Sequence, residues 1–226
     1  MARLAQLLAS HGRILVLDAA STRVQVGLLR EGLPPLWHSA DDEAGKAVFA
    51  GTDLLLGQAG LRQADVAAFV YCEGPGSMLG IRTVAMTLRT WVTLKPRPVY
   101  AYRSLAIAAR YEWVRQPRSL TVIADARRES WHAQNIAADG ILAPLQRLPA
   151  PELPATGFLT PENFRAWSQV PPHTATSSYD LSLLLPAVAG DDLLRETNAP
   201  DAFQHEAPDY RKWSAQLHSA ATVNRR

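Results

Sequence analysis

The chain has 226 residues, of which 47% are hydrophobic and 19% charged, and its formal net charge is +2. This length suits one large domain or two small ones with an ample core, and the composition is that of a globular rather than a disordered protein. So small a net charge argues against a dedicated polyanion-binding module, in which lysines and arginines gather on one face. We therefore expect any contact with nucleic acid to be local or shared with a partner.

Metal, thiol and membrane chemistry find no support in the sequence. The six histidines form no His-x-x-His or His-x-x-x-His pair, so a metal site on one helix is not indicated. Cys72 is the only cysteine, which excludes an intrachain disulfide and favours a reducing, cytoplasmic location. No apolar run is long enough to span a membrane. Residues 1–12 are predicted to be an N-terminal extension of one or two helical turns and lack the features of a secretory signal.

Three antiparallel strands are predicted at the start of the ordered part. Residues 14–18 form an apolar run that ends on an acid, Asp18, which is typical of a buried strand. Residues 24–28 alternate apolar and polar side chains, the period of a half-buried strand. A third strand is predicted over residues 36–39, after a turn that contains two prolines.

Helices and strands then alternate. Apolar spacing predicts, in chain order, helix 41–60, strand 66–71, helix 77–94, strand 98–102 and helix 104–114. The first of these helices contains three glycines spaced by six residues, Gly45, Gly51 and Gly57. Each interior glycine costs up to about 1 kcal/mol relative to alanine. The spacing therefore indicates either close packing of another helix or simply a poor helix.

The sharpest local signal is the loop Gly74-Pro75-Gly76-Ser77, which follows a strand and opens a helix. Its glycines allow close or left-handed backbone, its proline removes a donor, and Ser77 can cap the helix. A helix N-terminus at this place attracts anions, whereas the alternative interpretation is a tight corner without a ligand. The loop matches neither a P-loop, which needs Lys-Ser/Thr after its last glycine, nor a Gly-x-Ser-x-Gly nucleophile elbow.

The second half of the chain repeats the first in weaker form. Residues 120–126 have the same apolar strand, acid and alanine as residues 14–19, 107 positions later. Further strands are predicted over residues 131–136 and 141–148, followed by a proline-rich connector and short helices over residues 161–168 and 181–188. We predict an α/β fold of the actin/Hsp70-like (RNase H-like) type with duplicated βββαβα halves. The predicted limits are residues 13–116 for the N-terminal half, 117–211 for a smaller C-terminal half and 212–226 for a tail.

In that fold two acids flank the phosphates and metal of a nucleotide, and Asp18 and Asp125 occupy their places. A working ATPase or kinase also needs glycine-rich loops, and the turn after Asp18 has no glycine. We therefore predict a vestigial nucleotide or anion site. Its candidate residues are Asp18, Ser21, Gly74, Gly76, Ser77, Arg82, Asp125 and Arg127. The alternatives are a turn-forming Asp18, a solvated Arg82, and an exposed turn at Arg127 and Arg128 instead of a phosphate contact.

Several motifs, taken together, resemble the TsaB (YeaZ) family. They lie in the family's order and spacing between residues 13 and 211, and the Gly-Pro-Gly-Ser loop with its Gly-Ile-Arg continuation is the most specific. The motifs are Leu17-Asp18-Ala19-Ala20-Ser21, Val24-Gln25-Val26-Gly27-Leu28, Gly74-Pro75-Gly76-Ser77, Gly80-Ile81-Arg82, Ala124-Asp125-Ala126-Arg127-Arg128-Glu129 and Glu206-Ala207-Pro208-Asp209-Tyr210-Arg211.

The resemblance implies a non-catalytic accessory or scaffold subunit. Members of that family pair with a TsaD-type enzyme, which transfers a threonylcarbamoyl group to adenosine 37 of tRNAs, and form homodimers when alone. The resemblance further implies that this chain holds no cofactor, because ATP and metal belong to the partner enzyme. A TsaE-type ATPase is a further expected partner, and tRNA is expected only within the complex. The implied partner interface lies on the helices at residues 41–60 and 77–94 and consists of Val48, Gly51, Leu55, Ser77, Ile81, Val84, Ala85, Leu88 and Trp91.

Two alternative functions stay open on the sequence. One is a diverged paralogue that only self-associates, which partner profiling would separate from an accessory subunit. The other is a small ATPase or kinase of the actin-like fold, against which the missing glycine-rich loops argue.

Overall fold

A computed structural model describes residues 1–154 and 157–204. The predicted tail and the motif at residues 206–211 lie outside the described residues. The strands are β1 (Ala2–Arg3), β2 (Arg13–Asp18), β3 (Val24–Arg30), β4 (Leu33–Ala40), β5 (Ala68–Gly74), β6 (Val99–Arg103), β7 (Leu120–Asp125), β8 (Ser130–Ile136), β9 (Gln146–Pro149), β10 (Phe158–Pro161), β11 (Ala175–Ser177) and β12 (Asp192–Glu196). The α-helices are α1 (Leu4–His11), α2 (Ala44–Ala59), α3 (Met78–Leu94), α4 (Ser104–Arg115) and α5 (Leu181–Ala187).

The strands form two mixed sheets with the same order at their centres. The first sheet runs β1-β12-β6-β5-β2-β3-β4, and the second runs β11-β10-β7-β8-β9. In both, the strand that ends on an aspartate pairs with an antiparallel hairpin partner on one side and a parallel strand on the other. The duplicated α/β fold predicted from the sequence is therefore confirmed.

Alternate residues of β2 face two different layers of the molecule. Leu15 and Leu17 point to a core that α2 and α3 cover, together with Val48 and Leu88. Ile14 and Val16 point to the opposite core, which α4, α5 and the second sheet share. This alternation follows from the period of two in a strand, and it puts α4 and α5 between the two sheets.

Both ends of the described chain contribute to the first sheet. β12, from the C-terminal part, pairs antiparallel with β6, and β1 pairs with β12. The predicted turns at residues 4–11 are the helix α1, whose Leu4 and Leu7 are buried in the core shared by the halves. Residues 1–12 are therefore packed into the fold.

The predicted helix at residues 161–168 is wrong. In that connector Asn163 has a positive φ of 63°, and the N–H groups of Trp167 and Ser168 donate to the carboxylate of Asp125 instead of to helix carbonyls. A backbone held by an acid of another strand is not available for a helix. Within the predicted strand 141–148, the structure has an isolated bridge between Ile136 and Leu142 and then β9.

Candidate functional site

Asp18 lies at the end of β2 in a polar cluster that is closed to solvent. Its Oδ2 accepts hydrogen bonds from the hydroxyls of Tyr102 (2.5 Å) and Tyr179 (2.8 Å), and its Oδ1 accepts one from the backbone N–H of Ala20 (2.7 Å). The side chain is 0% exposed. The carboxylate of Asp18, one of the two acids predicted for a vestigial nucleotide site, is therefore hydrogen-bonded to groups of the protein itself.

Burial sets the protonation of this cluster. It raises the pKa of Asp18, although hydrogen bonds from Tyr102, Ala20 and Tyr179 act in the opposite direction. Burial, and then the nearby charge of Asp18, also raise the pKa of Cys72 and of both tyrosines well above their ordinary values. The thiol of Cys72 is therefore a poor nucleophile, because the thiolate is the reactive form.

The segment around Tyr179 ties the two halves together. The side-chain amide of Gln25 on β3 donates to the carbonyl of Tyr179 (2.8 Å) and accepts from the N–H of Leu181 (2.8 Å). A second tie is the bond from the N–H of Thr22 to the carbonyl of Asn163 (2.8 Å). These buried, paired polar groups hold the cleft between the halves closed.

Asp125 has a different environment from Asp18. It is partly exposed, and its carboxylate accepts from the backbone N–H groups of Arg127 (2.5 Å), Trp167 (2.6 Å) and Ser168 (2.5 Å). Partial burial acts to raise its pKa, but these three hydrogen bonds outweigh it and lower the pKa below the usual value. The guanidinium of Arg127 stacks on the exposed ring of Trp167, 5.0 Å from its centroid.

The Gly-Pro-Gly loop packs against the turn that follows Asp18. A Cβ at Gly76 would lie 2.3 Å from the carbonyl oxygen of Ala20, and one at Gly80 would lie 2.3 Å from that of Ala19. The N–H of Ser77 donates to the carbonyl of Ala20 (2.7 Å). The glycines are therefore needed for close approach of backbone to backbone, which is the tight-corner interpretation of the loop.

The other candidates for the vestigial site are divided between these two places. Ser21 bonds to the backbone of Arg23 (2.7 Å and 3.1 Å), Gly74 is the last residue of β5, and Arg82 is exposed on α3. The structure thus places Gly76 against the turn after Asp18, whereas Asp125 ends β7 of the second sheet and Arg127 lies in the turn that follows. Within the described residues, no group of three His, Cys, Asp or Glu side chains is placed to hold a metal ion.

Most residues of the predicted partner interface lie inside the chain. Ser77 is half-buried, but the other eight are buried in the chain's own core: Val48, Gly51, Leu55, Ile81, Val84, Ala85, Leu88 and Trp91. A Cβ at Gly51 would meet His38 on β4 at 2.9 Å, so this glycine serves the packing of α2 on the sheet. The interface itself stays a prediction, and a partner on these helices would contact their outward side chains first.

The outward side of α2 and α3 is unusually apolar. Large hydrophobic side chains are exposed there, including Leu79 at 79% and Met86 at 56%. We call the following set the α2–α3 face: Phe49, Leu54, Met78, Leu79, Met86 and Leu94. Phe49 also packs edge-on against Trp91, with ring centroids 5.9 Å apart, which links the two helices. Sequence reasoning placed the interface on these two helices but selected mainly their apolar residues at helical spacing, and those are the ones that the helices bury.

Comparison with known proteins gives two kinds of similarity. Residues 46–139 match the family model described as TsaD: tRNA N6-adenosine threonylcarbamoyltransferase. YeaZ from Pseudomonas aeruginosa is 23% identical, with a TM-score of 0.60 over 79% of this chain and 91% of YeaZ. A second structure, of a protein with similarity to the peptidase YeaZ from Pseudomonas aeruginosa, is 22% identical, with a TM-score of 0.61 over 79% of this chain and 90% of the other. No curated protein sequence matches the chain.

The part of the chain that the structure describes has no helix both long and apolar enough to cross a membrane.

The matched segment, residues 46–139, contains α3, α4 and nearly all of α2, and therefore the α2–α3 face. The chain thus has the fold of YeaZ and a central segment similar to the TsaD family, which confirms the predicted resemblance to the TsaB (YeaZ) family.

Proposed function

We propose that this chain is a non-catalytic subunit that pairs with a TsaD-type enzyme in the threonylcarbamoylation of adenosine 37 of tRNAs. The similarity of residues 46–139 to the TsaD family and the YeaZ fold support this assignment. In this proposal ATP and metal are bound by the partner enzyme and not by this chain. A TsaE-type ATPase is a further partner. The complex is cytoplasmic, and tRNA binds only to the complex.

The observation that carries the proposal is the α2–α3 face. Several large exposed apolar side chains on neighbouring helices of a globular protein are typical of a protein–protein interface. Met and Phe, which are enriched in interfaces, are among them. Two neighbouring helices with such a surface fit a partner that presents helices of its own.

A non-catalytic role agrees with the closed cleft. Tyr102 and Tyr179 saturate Asp18, and backbone N–H groups saturate Asp125. A buried carboxylate that already accepts several hydrogen bonds gains little from a metal or phosphate, because its own donors would have to be displaced first. An ATPase or kinase reaction in this chain is therefore disfavoured.

The test is co-purification with the TsaD-type enzyme of the same cells. We expect stoichiometric recovery with the unmodified chain and at least tenfold less with Met86→Asp, because an interface core does not tolerate a desolvated carboxylate. Leu183→Asp is the matched control, since Leu183 is 52% exposed on α5, outside the α2–α3 face. Circular dichroism of each variant verifies the fold.

Other results would contradict the proposal. Recovery of the chain alone would favour a diverged paralogue, and light scattering would then show whether the α2–α3 face makes a homodimer that Met86→Asp dissociates. A nucleotide titration of the isolated chain tests the remaining alternative, because micromolar affinity would favour an ATPase or kinase of this fold.

A further inference from the structure

A cavity of about 380 Å³ lies at the end of β6, between the two halves of the chain, and its lining includes residues from both faces of the first sheet, such as Ala101 and Tyr102. It is half open to solvent and is lined by the ends of β5 and β6, the first turn of α4, the segment after β8, and β12. This volume is in the range of small-molecule sites, which occur preferentially where two structural units meet. No residue that the proposed function uses for partner binding lines it.

One end of the cavity is polar. Glu73 is 6% exposed, and its carboxylate accepts from Arg195 Nη2 (2.6 Å) and from Arg103 Nε (3.4 Å). A guanidinium has five N–H donors, so each arginine keeps others for a ligand. Arg103 is held in place by the ring of Phe203, whose centroid lies 4.1 Å from the guanidinium carbon.

Gln134 on β8 adds an oriented amide. Its side chain is 3% exposed and lines the cavity, and its Nε2 donates to the carbonyl oxygen of Ala143 (2.6 Å). This bond fixes the amide plane and leaves the side-chain oxygen as an acceptor. An acceptor in a buried position favours a ligand that carries a donor, such as an ammonium group.

The remaining wall is apolar, and the polar end carries charges of both signs. The apolar wall consists of Ala106, Leu142, Pro144, Leu145 and Leu193. At the polar end Arg103 and Arg195 bond to Glu73, whereas Asp192 is paired with Arg3. Ala106 lies in the first turn of α4, and Arg103 makes no side-chain capping bond to that turn, so the helix N-terminus favours a carboxylate nearby. A simple anion would meet Glu73, and a simple cation would meet two arginines.

We propose that this cavity binds a zwitterionic α-amino acid with an aliphatic or aromatic side chain. The ligand carboxylate lies between the guanidinium groups of Arg103 and Arg195 near the start of α4. Its ammonium group donates to the side-chain oxygen of Gln134 and to Glu73, whose two carboxylate oxygens accept one hydrogen bond each and keep further acceptor capacity at the cavity. Its side chain packs on the apolar wall. This binding site is separate from the α2–α3 face, so its occupancy does not depend on the proposed function.

The experiment compares amino acids with analogues that lack one charge. The full chain is titrated with L-leucine and L-phenylalanine, with their deaminated analogues 4-methylpentanoate and 3-phenylpropionate, and with the amines isoamylamine and phenethylamine. Binding is followed by ligand-observed NMR and by the side-chain amide resonances of Gln134. We expect at least one of the two amino acids to shift these resonances and to bind at least tenfold more tightly than either of its analogues.

Variants locate the site. Arg195→Gln should weaken amino-acid binding at least tenfold, whereas Arg118→Gln, at an exposed arginine outside the cavity, should leave it unchanged. Ala106→Leu fills the cavity without changing charge and gives the same loss if Arg195→Gln does not fold. Absence of binding by both amino acids, equal affinity of the carboxylates or amines, or unchanged binding in Ala106→Leu would overturn the proposal.

Discussion

The two halves of the molecule share a strand order but differ in what covers their outer faces. In the first half α2 and α3 cover the face that points away from the second half. The corresponding face of the second sheet, in the described residues, carries a small cluster formed by Ile123, Trp131, Ala133 and Phe158. The two sheets therefore share a strand order although, in the described residues, α-helices cover the outer face of the first sheet only.

The two aspartates at the strand ends, Asp18 and Asp125, also differ between the halves, in their chemical environment. Asp18 and Asp125 occupy equivalent places in the two sheets, yet burial raises the pKa of the first and backbone hydrogen bonds lower the pKa of the second. Tyrosine hydroxyls close the first site, and a connector of irregular backbone caps the second. Equivalent positions in the two sheets therefore have different structural roles: Asp18 connects the two halves through Tyr179, and Asp125 fixes the connector at Trp167.

The largest effect is expected where the second half depends on one side chain. Trp131 is 1% exposed and is the largest member of its small cluster. Trp131→Ala should lower the free energy of unfolding by about 3–5 kcal/mol, because a large cavity forms that no helix can close. Urea denaturation measures this, with Trp167→Ala as the control, since Trp167 is 63% exposed. Similar losses in both variants would show that the outer face of the second sheet is not a core.

A smaller effect is expected at the joint between the halves. Tyr179→Phe removes one hydrogen bond to the buried carboxylate of Asp18 and keeps the ring. We expect a loss of about 1.5–3 kcal/mol in the free energy of unfolding, the range for hydrogen bonds to charged groups. Tyr111→Phe on the half-buried side of α4 is the control, and should change stability by less than about 0.5 kcal/mol. An unchanged stability in Tyr179→Phe would mean that the joint is held by packing alone.

The pH dependence should distinguish the two aspartates by sign. Because Asp18 has a raised pKa in the folded state, its contribution to stability is complete below the unfolded pKa of 3.8 and is lost as pH rises through the folded pKa. Asp125 has a lowered pKa, so its contribution is present above 3.8 and is lost as pH falls through the folded pKa. Asp18→Asn should therefore remove a decline towards high pH, and Asp125→Asn a decline towards low pH.

Urea unfolding midpoints measured from pH 2 to pH 8 give the slope of stability against pH for each variant. The comparison with the unmodified chain is made for each variant separately, and each slope change is limited to that of a single proton. Slope changes of the same sign in the two variants would contradict the assignment of burial to one site and hydrogen bonding to the other.

The repeat could be predicted from the sequence because it depends on local patterns. An apolar run ending on an acid occurs twice, and the strand that each run predicts lies inside its sheet with a partner on both sides. Strand alternation and helical spacing also gave the elements of the first half, because there the burial of one face decides the pattern. In the described residues no α-helix covers the outer face of the second sheet, and the connector at Trp167 and Ser168 follows hydrogen bonds to Asp125 instead of apolar spacing.

The joint between the halves could not be predicted because it joins residues that are distant in sequence. Tyr102 and Tyr179 are 84 and 161 positions from Asp18, and nothing in their local sequence marks them as its partners. Apolar spacing likewise finds the buried side of a helix and is silent on exposed apolar residues such as Leu79 and Met86. The outward faces of α2 and α3 are therefore visible only once the sheet beneath them is placed.

The smallest effect is expected inside α2, one of the two helices that cover the outer face of the first sheet. Gly57 lies inside α2, is exposed, and has open space where a Cβ would lie. Gly57→Ala should therefore raise the free energy of unfolding by about 0.5–1 kcal/mol, the difference in helix propensity. Gly60→Ala is the contrast: Gly60 also has open space but ends the helix with a φ of +64°, so alanine there should lower stability. A loss of stability in Gly57→Ala, measured by urea denaturation of the isolated chain, would contradict the helix-propensity cost assigned to this glycine. A gain would mean that Gly57 makes α2 a poorer helix, as one of the two explanations for the glycine spacing predicts.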